Sequence, residues 1–172
     1  MLNTILKNKP WIIVAVFGAA GLAGLSVPLI NVAVDKPVAV PPQELAGKTQ
    51  AFALASPLLQ TSCLPCHSAR TTLPWYAQLP IAKQMIAANM AQGLNEFNLE
   101  ERLYTEGKAP SAHTLEEIED VLTKGEMPPL EYTAAHWNAF ITPAKKQIVL
   151  DWILEERAAL SKSPALTSGV AP

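Results

Sequence analysis

Both cysteines of the chain and one of its three histidines fall in a single five-residue run, Cys63-Leu64-Pro65-Cys66-His67. C-x-x-C-H is the pattern of covalent c-type haem attachment. Each residue has a separate job. Two thiols three apart on a helical turn can reach the two vinyl groups on one porphyrin edge. The histidine beside the second thiol then supplies the proximal iron ligand. A chain organised by this run has to wrap a porphyrin, so the motif constrains the fold more than any composition figure does. Thioether bonds are made after export, so the motif also predicts a compartment outside the cytoplasm.

Other uses of C-x-x-C remain to be weighed. A zinc site wants four nitrogen or sulfur ligands, usually as two spaced pairs. Here there is no third cysteine, and only His67, His113 and His136 are available to complete a set. A thioredoxin-like redox pair would sit at a strand end in a βαβ unit, whereas the flanks of this run read as helical and proline-broken. A plain disulfide is the remaining alternative.

The chain has 172 residues, which suggests one modest domain plus an appendage. Lys7 and Lys9 precede an uncharged apolar run from Trp11 to Ile30, and no charge follows until Asp35. About 20 apolar residues span a bilayer as a helix. Lysines on the N-terminal side keep that end cytoplasmic and place the rest outside. A cleaved signal peptide is the alternative, but its apolar core is usually shorter, ~7–15 residues, and ends in a small-x-small site. Val32-Ala33-Val34 matches that site poorly. Residues 1–30 therefore read as a membrane anchor or signal segment. The localisation expected is a bacterial inner membrane with the haem domain in the periplasm.

Beyond residue 30 lie eleven basic and all fifteen acidic residues, a net charge of −4. Haem propionates would make it more acidic. That balance argues against nucleic acid and against anionic lipid as partners. It is compatible with docking to a basic patch on a redox protein.

Residues 31–43 contain Pro37, Pro41 and Pro42 and read as an extended tether. Residues 44–160 read as the haem domain and 161–172 as a flexible tail. Within the domain, Ser56-Pro57 looks like an N-cap and first helical residue leading into the haem motif. Residues 71–80 read as a loop. Pro80 starts a helix carrying Ile81, Met85, Ile86 and Met90, with Gly93 as its stop. Thr114-x-x-Glu117 reads as a capping box for a helix ending at Gly125. Thr142-Pro143 caps a last helix whose Ile148, Val149, Trp152 and Ile153 recur at helical spacing. No repeat and no strand pattern stands out, so the expected fold is all-α, a small helical domain around one covalent haem.

The position opposite His67 has five candidates: Met85, Met90, Met127, His113 and His136. Met127 lies in Gly125-Glu126-Met127-Pro128-Pro129. Two prolines directly after a methionine stiffen a non-helical loop that can hold a thioether near iron. Met85 and Met90 sit beside apolar residues on a helix, where methionines commonly fill gaps. His136 is either an alternative ligand or a hydrogen bonder at the haem edge. His/Met ligation raises the reduction potential relative to bis-histidine. Near the haem, Arg70 suits a propionate through its planar guanidinium. Trp75 and Tyr76 can cover the haem edge with polar tips toward a propionate, and Tyr132 is similarly placed after the methionine loop.

Taken together, Cys63-x-x-Cys66-His67-Ser68, Leu73-Pro74-Trp75-Tyr76 and Met127-Pro128-Pro129 with Tyr132 and His136 resemble a family of bacterial haem-binding-domain proteins. These are small exported c-type cytochromes related in layout to class I cytochrome c. The resemblance covers about residues 55–155. It implies a cytochrome c-like fold binding one haem c, with His67 proximal and Met127 distal. The chain departs from the family pattern at residues 89–94, where members often carry a histidine or charged residue and Gly-Arg. The function expected is single-electron transfer between a donor and an acceptor redox protein, by a carrier rather than a catalyst. Alternatives are an open-site haem protein acting as peroxidase or gas sensor, and a fixed subunit of a membrane respiratory complex.

Overall fold

A computed structural model describes residues 10–105 and 109–162. Among these residues the secondary structure is helical throughout, with no strand. The first helix, α1 (Pro10–Val34), is 25 residues long. It is long and apolar enough to cross a membrane, and Trp11, Phe17 and Leu22 stand exposed along it. Next come α2 (Pro42–Leu45), α3 (Gln50–Ser62) and the four-residue α4 (Leu64–His67). A 3₁₀ turn (Trp75–Gln78) leads into α5 (Pro80–Glu96), α6 (Leu99–Leu103), α7 (Ala112–Lys124) and α8 (Leu130–Ala135). A second 3₁₀ turn (Trp137–Ala139) precedes the last helix, α9 (Pro143–Lys162).

The core forms where α3 crosses α9. Phe52, Ala55 and Leu59 recur at helical spacing on α3 and are buried against Val149, Trp152 and Ile153 of α9. The Phe52 and Trp152 rings meet edge to face, centroids 5.3 Å apart, a favourable arrangement of ring quadrupoles. The indole of Trp152 donates to buried Glu156 at 3.2 Å, so the one polar edge of that ring is satisfied. Leu115, Ile118 and Leu122 of α7 and Leu99 and Leu103 of α6 complete the cluster. Ile148, expected on the buried face of α9, is turned partly to solvent, and Glu156 takes up the stripe one turn beyond Trp152.

Several local expectations are corrected. α3 begins at Gln50 and is capped by Thr49, whose Oγ1 accepts from Phe52 N at 3.1 Å, and Pro57 lies inside the helix. The buried face of Phe52, Ala55 and Leu59 overrides the local punctuation. Ser56 is buried and bonds Tyr104 Oη at 3.1 Å instead of capping. The N-cap of α7 is Ser111, whose Oγ accepts from Thr114 N; its end at Gly125 (φ 71°) is as expected. Gly93 does not stop α5, which runs on to Glu96.

Residues 31–43 are not a free tether. α1 continues through Val34, and Val38 joins the core with its N–H bonded to Gln60 O at 3.1 Å. The boundary expected at residue 44 therefore falls within the packed unit. At the other end, Ser161 and Lys162 complete α9, and the rest of the expected tail lies outside the described residues.

Candidate haem site

Cys63 joins α3 to α4, and the turn after it is closed by Cys66 N and His67 N, both donating to Cys63 O at 3.2 and 3.1 Å. Residues three apart on one turn face the same side. Both thiols are free and partly buried. Burial pushes the Cys63 thiol up to about 12 and raises Cys66 as well. A reactive redox pair needs the opposite shift, toward thiolate. Among the described residues no three His, Cys, Asp or Glu side chains gather as a metal set.

His67 is oriented by Phe97. Its Nδ1 lies 2.7 Å from the Phe97 carbonyl oxygen. A carbonyl only accepts, so Nδ1 carries the proton and Nε2 keeps a free lone pair. That is how proteins commonly prepare a histidine for a metal. The residues after the motif are fixed from α6. Glu100 accepts from Ser68 Oγ at 2.6 Å and from Ala69 N at 3.1 Å.

Helix α5 lies across the motif. Gly93 packs against Cys66 so closely that a β-carbon there would stand 2.6 Å from the Cys66 carbonyl oxygen. Glycine at this position serves close approach of two backbones. On the far side, α7 ends at Gly125, and Met127-Pro128-Pro129 forms the expected loop before α8.

These elements line a half-open cavity of about 540 Å³. Cys63, Cys66, His67, Met127 and Tyr132 line it together with Leu59, Phe97, Leu99, Ile118, Val121 and Leu122. The size falls within the range of cofactor pockets. The residues fit a haem: two thiols, a histidine with a free Nε2, a thioether and an apolar wall. Ser62 belongs to the lining of the same cavity, and its buried Oγ has no hydrogen-bond partner among the described residues. An orphaned polar atom of that kind calls for an occupant.

A second cleft of about 470 Å³ adjoins the first, and Cys66, Asn89, Glu131 and Tyr132 line both. Met85, Met90 and His136 line only this second cleft, and His113 lines neither. Of the five candidates for a sixth ligand, Met127 alone shares the cavity of His67.

The polar tips of Arg70, Trp75 and Tyr76, the expected haem-edge residues, are each held by another side chain. The Arg70 guanidinium holds Glu44 through two bonds of 2.8 Å and Glu100 through Nε at 2.6 Å. Trp75 Nε1 donates to Asn31 Oδ1 at 3.1 Å. Tyr76 Oη lies 2.5 Å from His136 Nε2. In each case a partner distant in sequence takes the polar tip. The Tyr132 ring lines both clefts and stacks on His136, centroids 4.4 Å apart, while its hydroxyl donates to Thr61 O at 3.3 Å.

His136 is the centre of a network that sequence reasoning missed. Its Nδ1 faces Asp35 Oδ2 at 2.5 Å, so Asp35, His136 and Tyr76 form a continuous chain. Burial, with the Asp35 charge as a lesser cause, raises the Tyr76 hydroxyl to about 12, and burial also raises Tyr132. Asp35 and His136 are 101 residues apart. No local pattern links them, and the one sequence signal is that Asp35 is the first charge after the apolar run.

Comparison with known proteins points to a haem-binding domain. A sequence model of the haem-binding domain matches residues 23–155. "Cytochrome c peroxidase Ccp" of Escherichia coli (strain K12) is 34% identical over 103 residues, covering 59% of this chain and 22% of that protein. The chain thus spans about a fifth of that relative's length. No solved structure matches. The chain belongs to the haem-binding-domain family.

Proposed function

We propose that this chain is a membrane-tethered monohaem c-type cytochrome, its haem domain in the periplasm, that passes single electrons between a donor and an acceptor redox protein. The haem is attached through Cys63 and Cys66, with His67 as proximal and Met127 as distal ligand. The observation that carries this reading is the meeting of all four side chains on one largely apolar cavity, with His67 Nδ1 tied to the Phe97 carbonyl.

A bound haem supplies a reversible one-electron iron couple, whose potential its axial ligands tune. The protein's part is mostly positional. Phe97 fixes the tautomer and orientation of His67. Pro128 and Pro129 restrict the backbone next to Met127. Apolar side chains from α3, α6 and α7 supply much of the surface a porphyrin would lie against. Transient, weak docking is characteristic of redox encounters.

The likeness to a peroxidase suggests a second reading, in which the domain itself reduces peroxide. His136 is the histidine that would serve as a distal acid–base group. It lies in the second cleft with Asp35 and Tyr76 on its two ring nitrogens. This favours an electron-delivering module over a catalytic one. A fixed place in a membrane respiratory complex is compatible with the same chemistry.

Redox titration of the full chain tests the proposal, with one reversible one-electron wave expected. Replacing both cysteines, Cys63→Ala with Cys66→Ala, is expected to abolish haem staining on a denaturing gel. Staining that survives would refute covalent attachment. Rapid peroxide turnover by a high-spin protein would favour the peroxidase reading.

A further inference from the structure

We propose that the haem domain lies directly on the bilayer, with Trp75, Trp137 and Phe140 forming an aromatic collar at the headgroup–acyl boundary where α1 leaves the membrane. This rests on reading α1 as a retained membrane-spanning helix.

The geometry begins with a length. Trp11 to Ile30 is an uncharged run of 20 residues. At a rise of about 1.5 Å per residue it covers ~30 Å, the thickness of a bilayer's hydrocarbon core. The next residue, Asn31, is already embedded in the haem domain. It is fully buried, donates through Nδ2 to Ala135 O at 2.8 Å and accepts from Trp75 Nε1. Val32 O accepts from Asn138 Nδ2 at 3.3 Å, and Asp35 pairs with His136. No spacer separates the span from the domain. The protein surface around Asn31 and Val32 therefore stands at headgroup level.

That surface carries large apolar side chains. Trp75 is 49% exposed although its indole N–H is bonded to Asn31. Trp137 and Phe140 flank Asn138 and are 45% and 55% exposed. Leu73 and Leu79, on either side of the Trp75 turn, are also exposed. Leu29 and Ile30 carry the exposed apolar surface onto α1 itself. Tryptophan favours the membrane interface because it joins an apolar ring to a polar edge. Exposed Lys36, just past the end of α1, offers a cation to lipid phosphate. Continuity with the span, rather than exposure alone, identifies the lipid surface as the occupant.

The consequence is a carrier with restricted reach. The domain does not swing on a tether, and its partners must present their redox centres close to the membrane plane.

The test uses the full haem-loaded chain in phosphatidylcholine nanodiscs. The lipid carries a photoactivatable diazirine near the headgroup end of an acyl chain, and adducts are mapped by mass spectrometry. Adducts are expected within residues 10–30 and also within 72–80 and 136–141. In a Trp137→Ser/Phe140→Ser variant, labelling of 136–141 should fall several-fold with the haem spectrum unchanged. Labelling of residues 10–30 alone would overturn the collar, leave the anchor standing and assign the patch to a protein partner. Absence of labelling within residues 10–30 would instead defeat the anchor reading itself.

Discussion

Replacing Gly93 with alanine tests the packing that holds the haem motif, because two physical effects predict opposite signs. Gly93 lies inside α5, where alanine is intrinsically better than glycine by about 0.8–1 kcal/mol. With open space around the site, Gly93→Ala would stabilise the protein. The structure leaves no such space. The added β-carbon would stand 2.6 Å from the Cys66 carbonyl oxygen, 3.1 Å from its carbon and 3.3 Å from its Cβ. Carbon–oxygen contacts normally begin near ~3.3 Å, so α5 and the Cys66 turn must separate by roughly 0.7 Å. The neighbouring atoms are backbone and cannot rotate away. Overpacking of this kind costs about 1–3 kcal/mol, which exceeds the propensity gain in most of its range. The expected net effect is a loss of about 1 kcal/mol, or a few degrees of melting temperature. Thermal unfolding of the haem-loaded protein, followed by circular dichroism, reads this directly. If Gly93→Ala melts at or above the parent temperature, α5 does not bear on Cys66 as described.

Three further outcomes follow from individual contacts. Tyr76→Phe leaves His136 Nε2 without its partner and should cost about 1–2 kcal/mol in urea unfolding; an unchanged midpoint would show that the Asp35–His136–Tyr76 chain adds nothing. Trp152→Ala empties the centre of the α3–α9 contact and should cost about 3–5 kcal/mol; a loss below ~1 kcal/mol would contradict the placement of the core there. Tyr76 ionises at about 12 when folded, above its ordinary value of 10. The unfolded chain therefore loses that proton first, so this stabilisation is complete below pH 10 and fades as pH rises through about 12. Denaturation midpoints measured across that window should fall, and the alkaline slope should lessen in Tyr76→Phe.

What could be read from the sequence was mostly local. Pro80 starts a helix, Gly125 ends one and Thr142-Pro143 begins another, because each signal is a property of one or two backbone positions. The turn at Cys63–His67 and the non-helical loop at Met127-Pro128-Pro129 are visible for the same reason, as local patterns. Signals that compete with burial were misread. Ser56-Pro57 looks like a helix start, yet the buried face of Phe52, Ala55 and Leu59 carries α3 through it. Gly93 looks like a stop, yet its need is closeness to Cys66. Contacts between distant residues left no local mark. Arg70 finds Glu44 and Glu100, 26 and 30 residues away, and Asn31 and Asp35 tie the supposed tether to Ala135 and His136. Charge type and position were visible in the sequence, but partner choice depended on how the helices pack.

An absorption spectrum of the oxidised and reduced full chain, recorded beside Met127→Ala, bears most directly on the proposed His67–Met127 haem. Low-spin spectra are expected in both oxidation states, with the weak long-wavelength band of ferric haem bound by thioether sulfur, and that band should vanish in Met127→Ala. A high-spin spectrum, or a band that survives the substitution, would contradict ligation by Met127 and the electron-carrier function built on it.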